Sequence, residues 1–220
     1  MSTFSAQAED GIRFFGTTAA SVSHEIKNCL AIINESAGLL QDLVMLSQKG
    51  KPLDPERVNR VASQITGQIQ RADAIVKNLN SFAHSMDVPE KTIDITETLT
   101  LVLALAQRPA SNQGVALDFI PPQGTILVQT NPFFFMHAVR QSLDCAMRVV
   151  GPEKTVEITA QAADNKVEII FGKLDNLSDN DDIQSLGEKV EGVLGKLGGH
   201  ISADEARKEI RLVFDKKRQE

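Results

Sequence analysis

The chain has 220 residues, enough for one compact domain or for a small domain preceded by a helical hairpin. Its net charge of −6 argues against nucleic acid as a partner, because phosphate backbones are bound by basic surfaces. The two cysteines, Cys29 and Cys145, lie too far apart to indicate a zinc site or a disulfide framework. The sequence shows neither a signal peptide nor a run of about 20 apolar residues, so we expect a soluble, cytoplasmic protein with no membrane partner.

The first part of the chain is predicted to form two long helices. The first helix is predicted at residues 6–47. Its apolar residues recur at steps of three or four residues and so repeat every seven residues, as in a coiled-coil-like bundle. These residues are Val22, Ile26, Leu30, Ile33, Ala37, Leu40 and Val44. Gly50 and Pro52 end that helix, and Asp54-Pro55 then caps a second one. A second apolar stripe runs from Val58 to Phe82, and the short loop makes the two helices antiparallel neighbours.

One hairpin of this kind cannot remove both apolar stripes from water. Two hairpins side by side form a four-helix bundle that can, so we expect a homodimer. The alternative is that the hairpin packs on the remainder of its own chain.

After a hinge at residues 87–90, the pattern changes to alternating strands and helices. Strands are predicted at 93–95, 115–119, 125–128, 155–160, 166–171, 200–203 and 209–214. Helices are predicted from Thr96 or Glu97 to 110, from Asn131-Pro132 to 150, and at 183–197, with a polar loop at 178–182. This order predicts an α+β sandwich, one mixed sheet with helices on one face. The predicted domains are therefore residues 1–87 and residues 88–220.

The string SHEIKNCLAII, residues 23–33, carries the predicted chemistry. His24 lies two positions after Val22, off the apolar stripe, so its imidazole is expected to face solvent. A neutral imidazole is a good phosphoryl acceptor. Glu25 is a candidate to orient that ring, and Asn28, one turn further along, is a candidate to position a water molecule. A solvated histidine on a helix ordinarily has no function, and it is the surrounding string that singles out His24.

This string resembles the H-box of sensor histidine kinases, roughly S-H-E-[LI]-[KR]-[NT]-P-L-[AT]-x-[IL]. Cys29 stands where the family has proline, which kinks the helix, so the resemblance implies a stiffer helix here. Residues 69–84, IQRADAIVKNLNSFAH, resemble the second helix of that family. The implied fold is an antiparallel hairpin, a four-helix bundle in the dimer, followed by a two-layer α/β sandwich resembling a histidine-kinase ATPase domain.

The ATPase-like part departs from the family pattern at the nucleotide-binding residues. Gln141 and Cys145 stand where the family has the two asparagines of its N-box, and a thiol is a poor ligand for Mg²⁺. No D-x-G-x-G follows the strand at 166–171, and Asp175 is displaced and lacks the glycines. The phosphate lid is reduced to Leu186-Gly187-Glu188. We therefore expect the fold without ATP binding, with no cofactor and no metal site in the chain itself.

The leading hypothesis is a histidine phosphotransferase, a phosphoryl carrier of a two-component phosphorelay. It would exchange a phosphoryl group between His24 and aspartates of response-regulator receiver domains, with Mg²⁺ supplied by the receiver. One alternative is a response-regulator phosphatase that uses Glu25 and Asn28. Another is a non-catalytic dimeric pseudokinase that binds a response regulator or a kinase. Autokinase activity is not expected, because it requires ATP contacts that the sequence lacks.

Overall fold

The computed structural model describes residues 3–163, 165–177, 190, 192–195 and 197–215. The predicted loop at 178–182, most of the predicted helix at 183–197, residues 186–188 and the basic end at 216–218 lie outside the described residues. The helices are α1 (Thr3–Gln48), α2 (Pro55–Ala83), α3 (Ile95–Asn112) and α4 (Pro132–Arg148). The strands are β1 (Lys91–Asp94), β2 (Ala116–Ile120), β3 (Leu127–Thr130), β4 (Thr155–Ala163), β5 (Lys166–Gly172), β6 (Gly199–Asp204) and β7 (Glu209–Asp215).

The chain forms two compact units that do not coincide with the predicted domains. The hairpin unit is Thr17–Asn80, and the α/β unit is Ser81–Glu220 together with Met1–Gly16. The first turns of α1 therefore belong with the α/β unit, in which Phe14 packs edge-on against Phe82 with ring centroids 5.3 Å apart. The sequence pattern assigned all of residues 1–87 to the hairpin, because helical periodicity alone does not show what a helix packs against.

The hairpin unit begins and ends its helices with the signals expected from the sequence. Gly50, with φ of 85°, follows α1, and the amide of Lys51 donates to the carbonyl of Leu46 at 3.2 Å. This pairing satisfies a carbonyl group that the end of a helix leaves free. The carboxylate of Asp54 accepts from the amides of Glu56 at 3.0 Å and Arg57 at 3.3 Å, which caps α2.

The apolar stripe of α1 divides between buried and exposed positions. Positions 22, 29, 36 and 43, each seven residues apart, are buried, and Val22 and Cys29 are 2% and 1% exposed. Leu30 and Val44, one residue further along, are 56% and 51% exposed. The buried seam is narrower than predicted, because a single hairpin offers α1 only one neighbouring helix.

The α/β unit contains a five-stranded mixed sheet in the order β2-β4-β5-β7-β6. Strands β2 and β4 are parallel, and the other neighbouring pairs are antiparallel. One face is buried, and its residues come from successive register pairs such as Ile158 opposite Phe171 and Ile169 opposite Leu212. The other face carries polar side chains such as Glu157 and Arg211, so the α+β sandwich fold is confirmed.

The prediction of one single sheet is wrong. β1 pairs only with β3, in antiparallel register from Lys91 opposite Thr130 to Asp94 opposite Leu127, and forms a separate two-stranded ribbon. Both strands lead directly into helices, β1 into α3 and β3 into α4. Asp94 caps α3 by accepting from the amides of Thr96 at 2.7 Å and Glu97 at 3.2 Å, so the helix begins one residue before the predicted start.

By length and composition, the segment Glu9–Gln48 of α1 is apolar enough to cross a membrane. The sequence pattern did not predict such a run. Core helices of soluble proteins meet the same criterion, so the finding is weak evidence. The cytoplasmic location stays a prediction.

Candidate functional site

His24 lies on α1 with its side chain exposed to solvent. At about 100° per residue, it lies about 200° from the buried Val22 and about 140° from the buried Cys29. The imidazole therefore projects from the side of the helix opposite the buried seam. A side chain in that position is accessible to another protein, while the helix beneath it is held by the packing of its neighbours.

Asn28 and Glu25 share this exposed part of α1. Asn28 is exposed and lies one turn after His24, about 40° away around the helix, so both side chains are on one face. Glu25 is half-buried and lies next to His24 in sequence, about 100° around the helix. The structure thus brings His24 and Asn28 onto one surface and places Glu25 at its edge.

Cys29 occupies the position at which the resemblance would place a proline. Its side chain is 1% exposed and belongs to the buried seam of the hairpin unit. The helix α1 runs from Thr3 to Gln48 without interruption through this position. The absence of proline avoids the loss of a backbone hydrogen bond in this turn, which is the physical reason for expecting a stiffer helix here.

Gln141 and Cys145 lie with His137 at four-residue intervals on α4, and we call these three residues the substituted face. Cys145 is fully buried, and His137 is 3% exposed. The side-chain amide nitrogen of Gln141 donates to Oδ2 of Asp10 at 2.9 Å and lies 2.9 Å from Nε2 of His137. These side chains do not fit a magnesium–nucleotide complex, because the thiol is a poor donor to Mg²⁺ and the amide nitrogen is engaged within the chain.

An aromatic side chain near the start of α1, Phe14, packs against His137 of the substituted face. Phe14 stacks on the imidazole of His137, with ring centroids 4.5 Å apart and planes inclined by 10°. Phe133 lies 5.5 Å from Phe14 and 5.9 Å from Phe82, which extends the cluster to the start of α4 and the end of α2. We call these four rings the aromatic cluster. Sequence reasoning missed this packing, since no motif in residues 1–16 indicates what they contact.

The loop after β5 is also held within the chain. The carboxylate of Asp175 forms an ion pair with the ammonium group of Lys208. It also packs so closely against Gly151 that a Cβ atom at that position would overlap it. Asn176 donates from its side chain to the carbonyl of Val150 at 3.0 Å. The described part of this loop, up to Leu177, is therefore tied to the chain that follows α4, and the carboxylate of Asp175 is neutralised by a lysine.

The described residues were also compared for clusters of side chains that suit a metal ion and for other exposed histidines. No cluster of three or more histidine, cysteine, aspartate or glutamate side chains suited to a metal ion occurs in that part of the chain. His84 is paired with Asp87 at 2.7 Å, His137 is in the aromatic cluster, and His200 is exposed on β6. Among the described histidines, His24 is the exposed one that lies in the H-box-like string.

No protein-family model matches the chain, and no curated protein sequence matches it either. Among solved structures, the histidine kinase AdeS of Acinetobacter baumannii is similar to this chain, with 13% sequence identity and a TM-score of 0.50. The aligned region spans 89% of this chain and 98% of the AdeS chain. The catalytic domain of the histidine kinase ThkA has 12% sequence identity to this chain and a TM-score of 0.48. That alignment spans 59% of this chain and 97% of the ThkA domain.

The similarity to AdeS extends over both units and concerns the fold. The chain has a histidine-kinase fold, with long N-terminal helices followed by an α/β domain. The fold expected from the H-box-like string is thereby confirmed.

Proposed function

We propose that this chain is a histidine phosphotransferase of a two-component phosphorelay. It carries a phosphoryl group on His24 and exchanges it with an aspartate of a response-regulator receiver domain, in the cytoplasm and without ATP. The observation that carries this proposal is the placement of His24, exposed on the side of α1 opposite the buried Val22 and Cys29. A carrier histidine must reach the active site of another protein, and this position allows it.

The proposed step is an in-line transfer of the phosphoryl group. A ring nitrogen of neutral His24 attacks the phosphorus of the receiver's aspartyl phosphate as the P–O bond to the carboxylate breaks. The aspartate leaves with the bonding electrons, and the other ring nitrogen releases its proton to solvent. Mg²⁺ held by the receiver would balance the phosphate charge, which suits a chain whose own acidic groups form no metal site among the described residues.

The proposal that the chain acts without ATP is supported by two separate contacts in the α/β unit. Gln141 is hydrogen bonded to Asp10 of the same chain, and Cys145 is fully buried. Asp175 is paired with Lys208. In both places, polar side chains are engaged within the chain itself, so we propose that a phosphorylated receiver, and not ATP, is the source of the phosphoryl group.

The proposed homodimer is supported by exposed apolar residues on the hairpin unit. Leu30 and Val44 on α1 are 56% and 51% exposed, and Ile69 and Val76 on α2 are 54% and 40% exposed. Ile69 and Val76 are seven residues apart, the repeat of a helical bundle seam. Burying the exposed half of each such side chain is worth roughly 1 kcal/mol, so a second hairpin would gain appreciably by covering them.

A label-transfer assay tests the proposed function. Purified protein is incubated with labelled Mg-ATP alone and, separately, with a panel of receiver domains carrying labelled phosphate. We expect label to reach the protein from a receiver and not from ATP, and to be lost in His24→Ala. The matched control is His84→Ala, which removes another exposed histidine and should leave transfer unchanged.

The other outcomes of this assay each exclude the proposal in a different way. Label on His24 from ATP alone would make the chain an autokinase. Binding of a receiver without label on either route would make it a non-catalytic pseudokinase. Transfer that persists in His24→Ala would assign the phosphoryl group to another residue.

A response-regulator phosphatase is the second candidate, and the shared face of His24 and Asn28 favours it. An amide one turn from the imidazole is placed to hold a water molecule near the same phosphorus atom. If this activity exists, Asn28→Ala would slow the loss of phosphate from the receiver while leaving label transfer to His24 largely intact. Equal loss of both activities would instead indicate that Asn28 contacts the receiver.

A further inference from the structure

The end of the hairpin unit at residues 44–53, which we call the hairpin tip, exposes several large apolar side chains. Val44, Met45 and Leu46, near the end of α1, are 51%, 53% and 38% exposed. Leu53, in the loop that leads to α2, is 44% exposed. Four such side chains within ten consecutive residues form an apolar surface of the kind that marks a contact with something outside the chain.

The apolar side chains of α1 at the tip lie on every side of the helix. At about 100° per residue, Val44, Met45 and Leu46 lie about 100°, 200° and 300° around the helix from Leu43, which is buried in the seam of the hairpin. A helical turn that is apolar on all sides is ordinarily enclosed on all sides. Here the side of Leu43 is buried and the other three sides are exposed.

A second hairpin packed alongside the first would cover one of these three sides. Leu30 and Val44 lie about 140° and 100° from Leu43, so they share one stripe of α1, the stripe that the proposed homodimer would bury. Met45 lies beyond that stripe, and Leu46 lies on the opposite side of the helix. An occupant that reaches all of these side chains must approach along the helix axis from the end of the hairpin, as a flat surface does.

The charge of the tip is complementary to an anionic surface. Lys49 and Lys51 are exposed, and residues 43–53 contain no acidic side chain, although the whole chain has a net charge of −6. The next acidic residue, Asp54, uses its carboxylate to cap α2. Peripheral proteins bind membranes by burying apolar side chains at the boundary of headgroups and acyl chains, while basic side chains are attracted to anionic lipids. The tip combines both features.

We propose that the hairpin tip docks the protein on a membrane surface that contains anionic lipids. Met45, Leu46 and Leu53 enter the boundary between headgroups and acyl chains, and Lys49 and Lys51 face the lipid phosphates. This attachment is peripheral, and no segment spans the bilayer. It departs from the sequence-based expectation of no membrane partner, which considered signal peptides and membrane-spanning runs alone.

Docking at the tip leaves the proposed transfer site accessible. Val44 follows His24 by twenty residues, about 30 Å along the axis of α1. A hairpin that stands on its tip therefore holds His24 well away from the lipid, where a receiver domain can reach it. The docking goes beyond the proposed transfer and does not depend on it, because lipid binding is measured without a receiver.

Co-sedimentation of the purified full-length protein with lipid vesicles tests the docking. Neutral phosphatidylcholine vesicles are compared with vesicles in which about a third of the lipid is anionic phosphatidylglycerol. We expect the protein to bind the anionic vesicles at least about tenfold more tightly than the neutral ones, because two lysines face the phosphates. Raising the salt concentration from about 0.1 M to about 1 M should weaken this binding, since salt screens the charges.

Two double variants and a control separate the contributions of the tip. Met45→Ser combined with Leu46→Ser should lower vesicle binding by at least about tenfold, because two apolar side chains are lost. Lys49→Gln combined with Lys51→Gln should reduce binding of anionic vesicles to the level of neutral ones. Ile120→Ser removes an exposed apolar side chain of the α/β unit and should leave binding unchanged. All five positions are exposed, and circular dichroism checks that each variant is folded.

Three results would overturn the docking proposal. The first is a wild-type protein that sediments with neither kind of vesicle. The second is equal binding by the wild type and the Met45→Ser, Leu46→Ser variant. The third is equal binding of neutral and anionic vesicles at low salt. If that double variant instead changes the molar mass in sedimentation equilibrium while the wild type binds no vesicle, the tip is covered by a second copy of the chain.

Discussion

In the α/β unit, the apolar side chains on the inner face of the sheet are buried completely, as Ile158, Ile169 and Phe171 show at 0% exposure. In the hairpin unit, Leu30 and Ile69 remain 56% and 54% exposed. Apolar periodicity predicted both a helical hairpin and an α/β sandwich, and the hairpin is the one whose apolar stripe stays partly exposed. A sheet covered by helices encloses its own apolar face, whereas two helices leave one side of each open to solvent.

The two units also differ in how closely their sequences follow the pattern of the family that they resemble. The α/β unit retains a buried core while Gln141 and Cys145 replace the expected nucleotide-binding residues. The hairpin unit retains the string around His24 and has the less complete core. Fold is maintained by apolar packing, which does not depend on the identity of polar side chains such as Gln141.

The largest expected effect is on the core of the α/β unit. Phe171→Ala removes a ring that is 0% exposed, and we expect a loss of about 3–5 kcal/mol in the free energy of unfolding. Urea unfolding followed by circular dichroism measures this, since the chain contains no tryptophan for fluorescence. The control is Ile170→Ala, which alters the half-buried neighbour on the other face. Equal losses for the two variants would contradict the asymmetry of the sheet.

The next effect concerns the open side of the hairpin unit. Ile69→Asp puts a charge on the exposed seam, and burying a carboxylate in a dimer would cost about 2 kcal/mol or more, which raises the dimer dissociation constant by at least about thirtyfold. Sedimentation equilibrium distinguishes the two states. Gln70→Asp, which adds the same charge at the adjacent exposed position, should leave association unchanged. A monomeric wild type would show that the seam is not covered by a second copy.

Helix capping should contribute a similar amount to the free energy of unfolding in each of the two units. Asp54 and Asp94 each accept two backbone amide hydrogen bonds, so Asp54→Ala and Asp94→Ala should each lower stability by about 1 kcal/mol. The corresponding Ser variants retain an acceptor and should recover most of the loss, as measured by urea unfolding. If only one of the two Ala variants lowers the measured free energy of unfolding, the unit that carries the other cap unfolds separately.

The smallest effect is expected at a strained turn of the α/β unit. Lys154 has φ of 51°, a conformation that L-residues adopt at a cost and glycine adopts freely. Lys154→Gly should therefore raise the free energy of unfolding by a few tenths to about 1 kcal/mol. Lys154→Ala, which keeps the Cβ atom, should bring no gain, and a gain of equal size would assign the effect to the lysine charge instead.

Much of the fold followed from local signals in the sequence. The loop between α1 and α2, the cap at Asp54, the start of α4 after Asn131-Pro132 and the strands of the five-stranded sheet were all predicted close to their observed positions. These features depend on backbone geometry and on alternation of apolar residues, which are properties of a few neighbouring residues. The two-stranded ribbon of β1 and β3 was missed, since pairing partners are chosen by the rest of the fold.

For the candidate site, the sequence indicated His24, Glu25 and Asn28 by pattern, and the structure adds the exposure of each. Their roles stay predictions. The positions of Gln141 and Cys145 were expected from the resemblance, but their surroundings were not. Asp10 and Phe14 lie more than 120 residues before Gln141 in the chain, and a contact over such a separation has no local sequence signal.

By itself, the sequence determined the helical hairpin, its caps and the face of α1 on which His24 lies, because each follows from the fixed rotation of a helix and from short-range hydrogen bonds. Only the tertiary structure decided that Leu30 and Ile69 remain exposed on the hairpin unit. It also decided that the first turns of α1 close over the substituted face of α4. Those outcomes depend on which surfaces compete for the same apolar neighbours, and that competition involves the whole chain at once.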